Sequence, residues 1–264
     1  MQLSLAPGAG GSIDSMADLD SYLAAVAAAG FGFVSLGMQQ LVPAFEDPGG
    51  LGRVAKMLDA HGLVCRDVLA LTIRRDDTEA LRAAGQLAEA AHAFGASQVL
   101  TLLYTRVSDE SLDRLGRCGD VVADAGARLA LEFIPGGPVS RIGEALVVLG
   151  AVGADRVGVM IDTWHFFRGG STWQELETIP LDQIAYVQFD DALAPESDDL
   201  MHESIDRRTW PGEGEFDLTR FARTLTARGW SGLVSIEVLS SELRQLDLAT
   251  YTSLAYRTTS PYWA

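Results

Sequence analysis

Four apolar runs in this chain end on an oxygen-bearing side chain: Leu129-Ala-Leu-Glu132, Val157-Gly-Val-Met-Ile-Asp162, Ile184-Ala-Tyr-Val-Gln188 and Leu233-Val-Ser-Ile-Glu237. A carboxylate at the end of a buried strand loses hydration and needs a cation or a proton in compensation. A single acid in such a place reads as a loop or helix-cap contact. Four oxygen donors at one height, from consecutive units, read instead as a cage for one divalent metal ion.

The neighbouring side chains carry two readings each. His165, three residues past Asp162, is either an orienting residue at the start of a loop or a substrate contact. Arg208 is a surface ion pair or a partner for a substrate oxygen, carboxylate or phosphate. Asp190 shares its strand side with Gln188, because side chains alternate with a period of two, and serves as support or as an additional ligand. Trp164, Phe166, Phe167 and Trp210 are packing residues, the commoner fate of aromatics at a barrel mouth, or an apolar wall beside substrate. His61 and His92 fall in predicted helices and read as structural.

The elements that would position these groups alternate regularly. Strand-like runs are expected at residues 2–6, 31–37, 64–71, 98–103, 128–133, 157–161, 184–189 and 233–238. Helical periodicity covers 18–29, 50–61, 78–94, 109–125, 142–152, 173–177, 218–228 and 241–256. Asp77 and Ser108 are candidate caps, and Gly30, Gly62, Gly95, Gly126 and Gly229 close helices ahead of the next strand. Eight such βα repeats without a Pro/Gly/Ser linker predict a single-domain (β/α)8 barrel over residues 1–264, an α/β fold with its chemistry on the carboxyl rim of the strands. An open, doubly wound sheet would need a phosphate loop after the first strand, and the glycine-rich segment at 7–12 matches neither the dinucleotide nor the Walker pattern. That segment reads as a flexible first loop. The longer stretch at 192–207 has the length of a lid or specificity loop, and its acidic run Glu196-Ser-Asp-Asp199 reads as solvated.

Composition narrows the function. The 264 residues are 48% hydrophobic with a formal charge of −16, which argues against nucleic acid, whose phosphates require clustered Lys and Arg. No apolar run spans a bilayer and the amino terminus lacks a secretory pattern, so a soluble, cytoplasmic protein without membrane association is expected. Cys65 and Cys118 have no metal or disulfide spacing and read as packing residues.

Asp162-Thr-Trp-His165 resembles the DTxH signature of the xylose-isomerase-like TIM barrels, the sugar phosphate isomerase/epimerase family. Arg208-Thr-Trp-Pro-Gly-Glu-Gly214 resembles that family's Arg-x-x-Pro-Gly-x-Gly loop, and Ser235-Ile-Glu237-Val its last strand. The likeness is specific from Glu132 to Glu237 and architectural before it. It implies one divalent ion held by Glu132, Asp162, Gln188 and Glu237, with Gln188 standing where the family usually has His. An all-oxygen set moves the preference from zinc towards Mn2+, Mg2+ or Ca2+, with Mn2+ or Mg2+ favoured. The likeness further implies a small polyhydroxy carbonyl substrate, such as a keto-sugar or inosose. Glu132 and Glu237 would move a proton through an enediolate, and His165, Arg208 and Trp164 would contact substrate.

Three functional readings follow. The first is a metal-dependent isomerase or epimerase. The second is a dehydratase on the same scaffold, resembling inosose or 3-dehydroshikimate dehydratase, in which proton abstraction precedes loss of a β-hydroxyl. The third is a metal-free binding subunit, supported by Gln188 alone and opposed by the cost of buried acids without a cation. Endonuclease IV, in the same broad fold, resembles a histidine-rich trinuclear zinc site, which this acidic chain with four histidines does not offer. A homodimer is expected from common symmetry, and the aromatic tail at 260–264 could dock on the same chain or on a neighbour.

Overall fold

The computed structural model describes residues 1–8 and 13–264, so most of the glycine-rich segment at 7–12 lies outside the described residues. In chain order the first elements are β1 (Gln2–Leu5), α1 (Met16–Ala28), β2 (Phe33–Gly37), α2 (Met38–Glu46), α3 (Gly50–His61), β3 (Val64–Ile73), α4 (Asp77–Phe94) and β4 (Gln98–Leu103). They continue with α5 (Asp109–Asp124), β5 (Arg128–Glu132), α6 (Ile142–Val152), β6 (Val157–Asp162), α7 (Thr163–Arg168), α8 (Trp173–Thr178) and β7 (Ile184–Phe189). The last are β8 (Asp191–Ala192), α9 (Leu200–Asp206), β9 (Arg208–Thr209), α10 (Leu218–Thr226), β10 (Leu233–Ile236) and α11 (Leu248–Thr259). Among the described residues the eight long strands close into a barrel in the order β1-β10-β7-β6-β5-β4-β3-β2, the (β/α)8 topology expected from the alternation.

By its contacts the chain falls into two compact units. One comprises residues 1–64, 162–164 and 187–264. Here β1 runs parallel to both β10 and β2, and β10 runs parallel to β7 with Ser235 opposite Gln188. The hydroxyls of Ser4, Ser35 and Ser235, all fully buried, join in a line with spacings of 3.1 and 2.8 Å, so each polar group left in this apolar setting has a partner. Trp263 of the tail is 3% exposed and packs edge-on against Phe189 with centroids 5.2 Å apart. The tail therefore docks on its own chain.

The other unit comprises residues 65–161 and 165–186. Strands β3, β4, β5 and β6 run parallel, and all six residues of β6 are buried. Such continuous apolar strands are what a sheet covered on both faces requires. Ser108 caps α5 through the N–H of Ser111, as expected, whereas the cap of α4 is Asp76 rather than Asp77. Asp77 instead lies in the first turn and pairs with Arg114 and Arg117 of α5. Gly62 and Gly95 take the left-handed conformation that ends α3 and α4. Cys65 and Cys118 are buried free thiols.

Some elements differ from the expected pattern. Helix α2 contains Pro43, whose missing N–H interrupts a periodic reading. Helix α11 starts at Leu248 rather than 241, because Asp247 caps it through the N–H of Thr250. No helix among the described residues is long and apolar enough to cross a membrane.

Candidate functional site

Glu132 is the last residue of β5 and is 7% exposed. Its neighbour across the ladder is Met160, two residues before the end of β6, where the chain passes through Asp162 straight into α7. His165 lies in the first turn of that helix, 4% exposed, with Nε2 2.9 Å from Oε1 of Glu132. Glu132 and His165 can each offer one ligand atom to a metal ion. The sequence points to His165 as a substrate or catalytic residue; the geometry makes it a candidate nitrogen donor as well. Tyr104, just beyond β4, carries no signal in the sequence. Burial pushes its hydroxyl above the ordinary range, the Glu132 charge adds to this, and the Arg74 guanidinium 5.1 Å over its ring opposes it.

A second cluster gathers residues of β6, β7, β9 and the end of β10. Gln188 Nε2 donates to Glu237 Oε1 at 3.1 Å, while Gln188 Oε1 is buried without a hydrogen-bond partner. Arg208, 3% exposed, reaches the same acids through one nitrogen. Its Nη1 donates to Asp162 Oδ2 at 2.7 Å and to Asp190 Oδ2, and lies 3.7 Å from Glu237 Oε2. Its Nε donates to Ser204 O at 2.7 Å, and its Cζ lies 5.7 Å over the ring of Trp164, itself 1% exposed. Arg208 is thus engaged with Trp164 and with the acids. The hydroxyl of Thr163 lies 2.8 Å from Asp190 Oδ1 and accepts the Asp190 N–H at 2.9 Å. Both oxygens of Asp190 are then held by protein donors.

The short β8–β9 ladder, with Ala192 opposite Arg208, delivers the guanidinium to the end of β7. Asp191, which sequence reasoning passes over, holds the Pro-Gly loop. Its Oδ2 accepts the N–H groups of Gly212 and Gly214 at 3.0 and 3.1 Å, and its Oδ1 that of Phe216 at 3.1 Å. A Cβ on Gly214 would fall 2.2 Å from Asp191 Oδ1, so only glycine fits this approach. Trp210 is 2% exposed and stacks edge-on with Tyr251, a packing role. The acidic run before α9 is partly structural. Asp199 caps α9, and buried Glu203 accepts the N–H groups of Glu196 and Ser197. His61 and His202 pair with Asp20 and Asp206 in exposed positions away from these clusters.

The second cluster shifts the titration of its own members. Burial would pull the Arg208 guanidinium down, but Asp162, Asp190 and Glu237 more than offset this and hold it above its ordinary value. Burial pushes the Asp190 carboxyl up, opposed chiefly by Arg208. A guanidinium does not release its proton in a protein, so Arg208 stays charged among these acids. Three carboxylates converge on Arg208, and the buried amide oxygen of Gln188 has no hydrogen-bond partner. Hard oxygen donors of this kind suit a divalent ion.

The chain matches the xylose isomerase-like TIM barrel family over residues 23–256. It is 29% identical to an inosose isomerase of Halalkalibacterium halodurans over 60% of this chain and 56% of that protein. It is 28% identical to a 3-dehydroshikimate dehydratase of Pseudomonas putida over 52% of this chain and 22% of the relative. The chain thus spans about half the length of the curated inosose isomerases it matches. Among solved structures it is similar to the IolI protein with a binding zinc atom, with a TM-score of 0.85, 22% identity, and coverage of 99% of this chain and 98% of that one. With matched residues running from 23 to 256 and the same barrel in the solved relative, the chain belongs to the xylose isomerase-like TIM barrel family.

Proposed function

We propose that this protein is a divalent-metal-dependent isomerase or epimerase of a small polyhydroxy carbonyl compound, a keto-sugar or an inosose. Glu132, Asp162, Gln188 and Glu237 hold the ion in this reading, with Mn2+ or Mg2+ favoured because three carboxylates and an amide oxygen are hard donors. The observation that carries the reading is the convergence of Asp162 and Glu237 on one buried point beside the unpartnered Gln188 Oε1. The likeness to inosose isomerases supports the substrate class.

A bound divalent ion would supply Lewis acidity towards a carbonyl oxygen, easing loss of the proton on the adjacent carbon. Glu132 and Glu237 take and return that proton, and His165 contacts a substrate oxygen. Gln188 orients Glu237 through its amide N–H. Arg208 and Trp164 contribute to substrate binding, Arg208 also orienting the acids to which it donates. Cytoplasmic location and homodimeric assembly belong to the same proposal.

A dehydratase is the second reading, favoured by the likeness to 3-dehydroshikimate dehydratases. One experiment separates the two. Metal-loaded protein is incubated in deuterated water with a panel of keto-sugars, inososes and 3-dehydroshikimate, and the products are read by mass. Carbon-bound deuterium in a product of otherwise unchanged composition is the expected result. A product short of one water selects the dehydratase, and a panel untouched by exchange or dehydration overturns both.

A further inference from the structure

We infer that Arg74 and Tyr104 recognise an anionic substituent of the substrate, a carboxylate or a phosphate ester, carried away from the reacting carbons. The inference rests on the proposed reading of Glu132 as a proton-transferring acid, and it narrows the substrate class to acidic polyhydroxy carbonyl compounds.

Strand register brings the two residues together with Glu132. Thr72 of β3 stands opposite Leu102 of β4, and Leu102 stands opposite Glu132 of β5. Residues in register on neighbouring strands share a face, and so do residues two apart on one strand. Arg74 and Tyr104 therefore belong to the face that carries Glu132, one step nearer the carboxyl rim. The Tyr104 N–H donates to Ile73 O at 2.9 Å, which continues the β3–β4 ladder to this level. The Arg74 Cζ lies 5.1 Å over the Tyr104 ring.

Both side chains are presented rather than packed. Arg74 is exposed and Tyr104 is 45% exposed, and among the described residues no carboxylate pairs with Arg74 and no group hydrogen-bonds the Tyr104 hydroxyl. In a chain with 36 acids against 20 bases, a guanidinium without an acid stands out. The two acids that follow it are committed elsewhere: Asp76 accepts the Glu79 N–H at 3.0 Å as the cap of α4, and Asp77 pairs with Arg114 and Arg117. The backbone beneath is fixed, because Arg114, 2% exposed, donates from Nη1 to Arg74 O at 2.9 Å.

The donors suit an anion. A cation over an aromatic face keeps its N–H groups for another partner. Burial and the Glu132 charge hold the proton on the phenol against the opposing pull of Arg74, so the hydroxyl is a donor too. A planar fork with an adjoining O–H matches carboxylate or phosphate oxygens, and such charge-assisted bonds are about twice as strong as neutral ones. Glu132 is engaged by His165 Nε2 at 2.9 Å and not by Arg74. The two charges on this face are thus left for different parts of one substrate, the carboxylate for the reacting carbon and the guanidinium for the anionic end.

The test is calorimetric titration of the purified, metal-loaded chain with three six-carbon probes that differ at one end: sorbitol, gluconate and sorbitol 6-phosphate. Wild-type protein is expected to bind one or both anions at least about tenfold more tightly than sorbitol, the scale of one charge-assisted contact. Gluconate ahead of the phosphate assigns the subsite to a carboxylate, and the reverse order assigns it to a phosphate ester. Arg74→Gln is expected to remove the preference without changing the affinity for sorbitol, and Tyr104→Phe to weaken anion binding roughly threefold. A preference that survives Arg74→Gln puts the anion elsewhere, the metal included, and overturns the inference. Equal affinities for the three probes, or no binding of either anion, overturn it as well. Failure of the keto-sugars, inososes and 3-dehydroshikimate to exchange or dehydrate would instead remove the proposed reaction, an outcome that leaves these binding constants standing.

Discussion

Glu237 stands at the end of β10 with one oxygen receiving the Gln188 amide and the other within reach of Arg208. A base that acts on carbon must be ionised and aimed, and these two neighbours favour both conditions. Glu237→Gln keeps the size of the side chain and removes its basicity. It is expected to abolish deuterium incorporation into substrate, by at least about a hundredfold, with an unchanged circular dichroism spectrum. A variant that exchanges at the wild-type rate would refute the assignment. The residues at strand ends were legible in the sequence because a polar group closing an apolar run stands out against the pattern before it. The burial of Arg208 and Trp164 was not, because a six-residue helix and a two-residue strand leave no periodic trace, and both prove to be 3% exposed or less.

At the scale of elements, the Pro-Gly loop hangs on Asp191. Three backbone N–H groups of the loop end on its carboxylate beside that of Ala192, two of the three from glycines. Asp191→Ala leaves these buried donors without an acceptor and should cost about 2–4 kcal/mol of stability, read as a lower denaturant midpoint at unchanged slope. A loss under about 0.5 kcal/mol would show that water replaces the carboxylate. The strands and most long helices were legible from alternation and from capping residues. Helices α2, α7 and α9 were not: α2 carries Pro43, α7 follows β6 with no intervening loop, and α9 is a seven-residue helix set by its Asp199 cap within a polar stretch. Local signals of that length are too weak to stand out in sequence, and contacts such as Glu203 with the preceding loop fix them.

For the whole molecule, acids gathered at strand ends set local stability against function. A ligand that binds only the folded chain stabilises it by mass action, so chelation should matter to folding as well as to activity. With Mn2+ present at about a hundred times its dissociation constant, the native state gains about 2.7 kcal/mol. For a chain of this length, stripping the ion should lower the melting temperature by roughly 5 °C, and re-addition should restore it. A melting curve indifferent to chelator and to added Mn2+ would contradict the proposed ligand set.

Arg207 and Arg208 form a dibasic pair, the kind of sequence that trypsin-like proteases cleave readily in an exposed loop. Here Arg207 is tied to Glu196 and Glu203, and Arg208 is sealed beneath α9 with its head among the acids. The bond between them is closed to a protease as long as those pairs persist. A nick at this position would therefore mark molecules whose acidic cluster has already come apart.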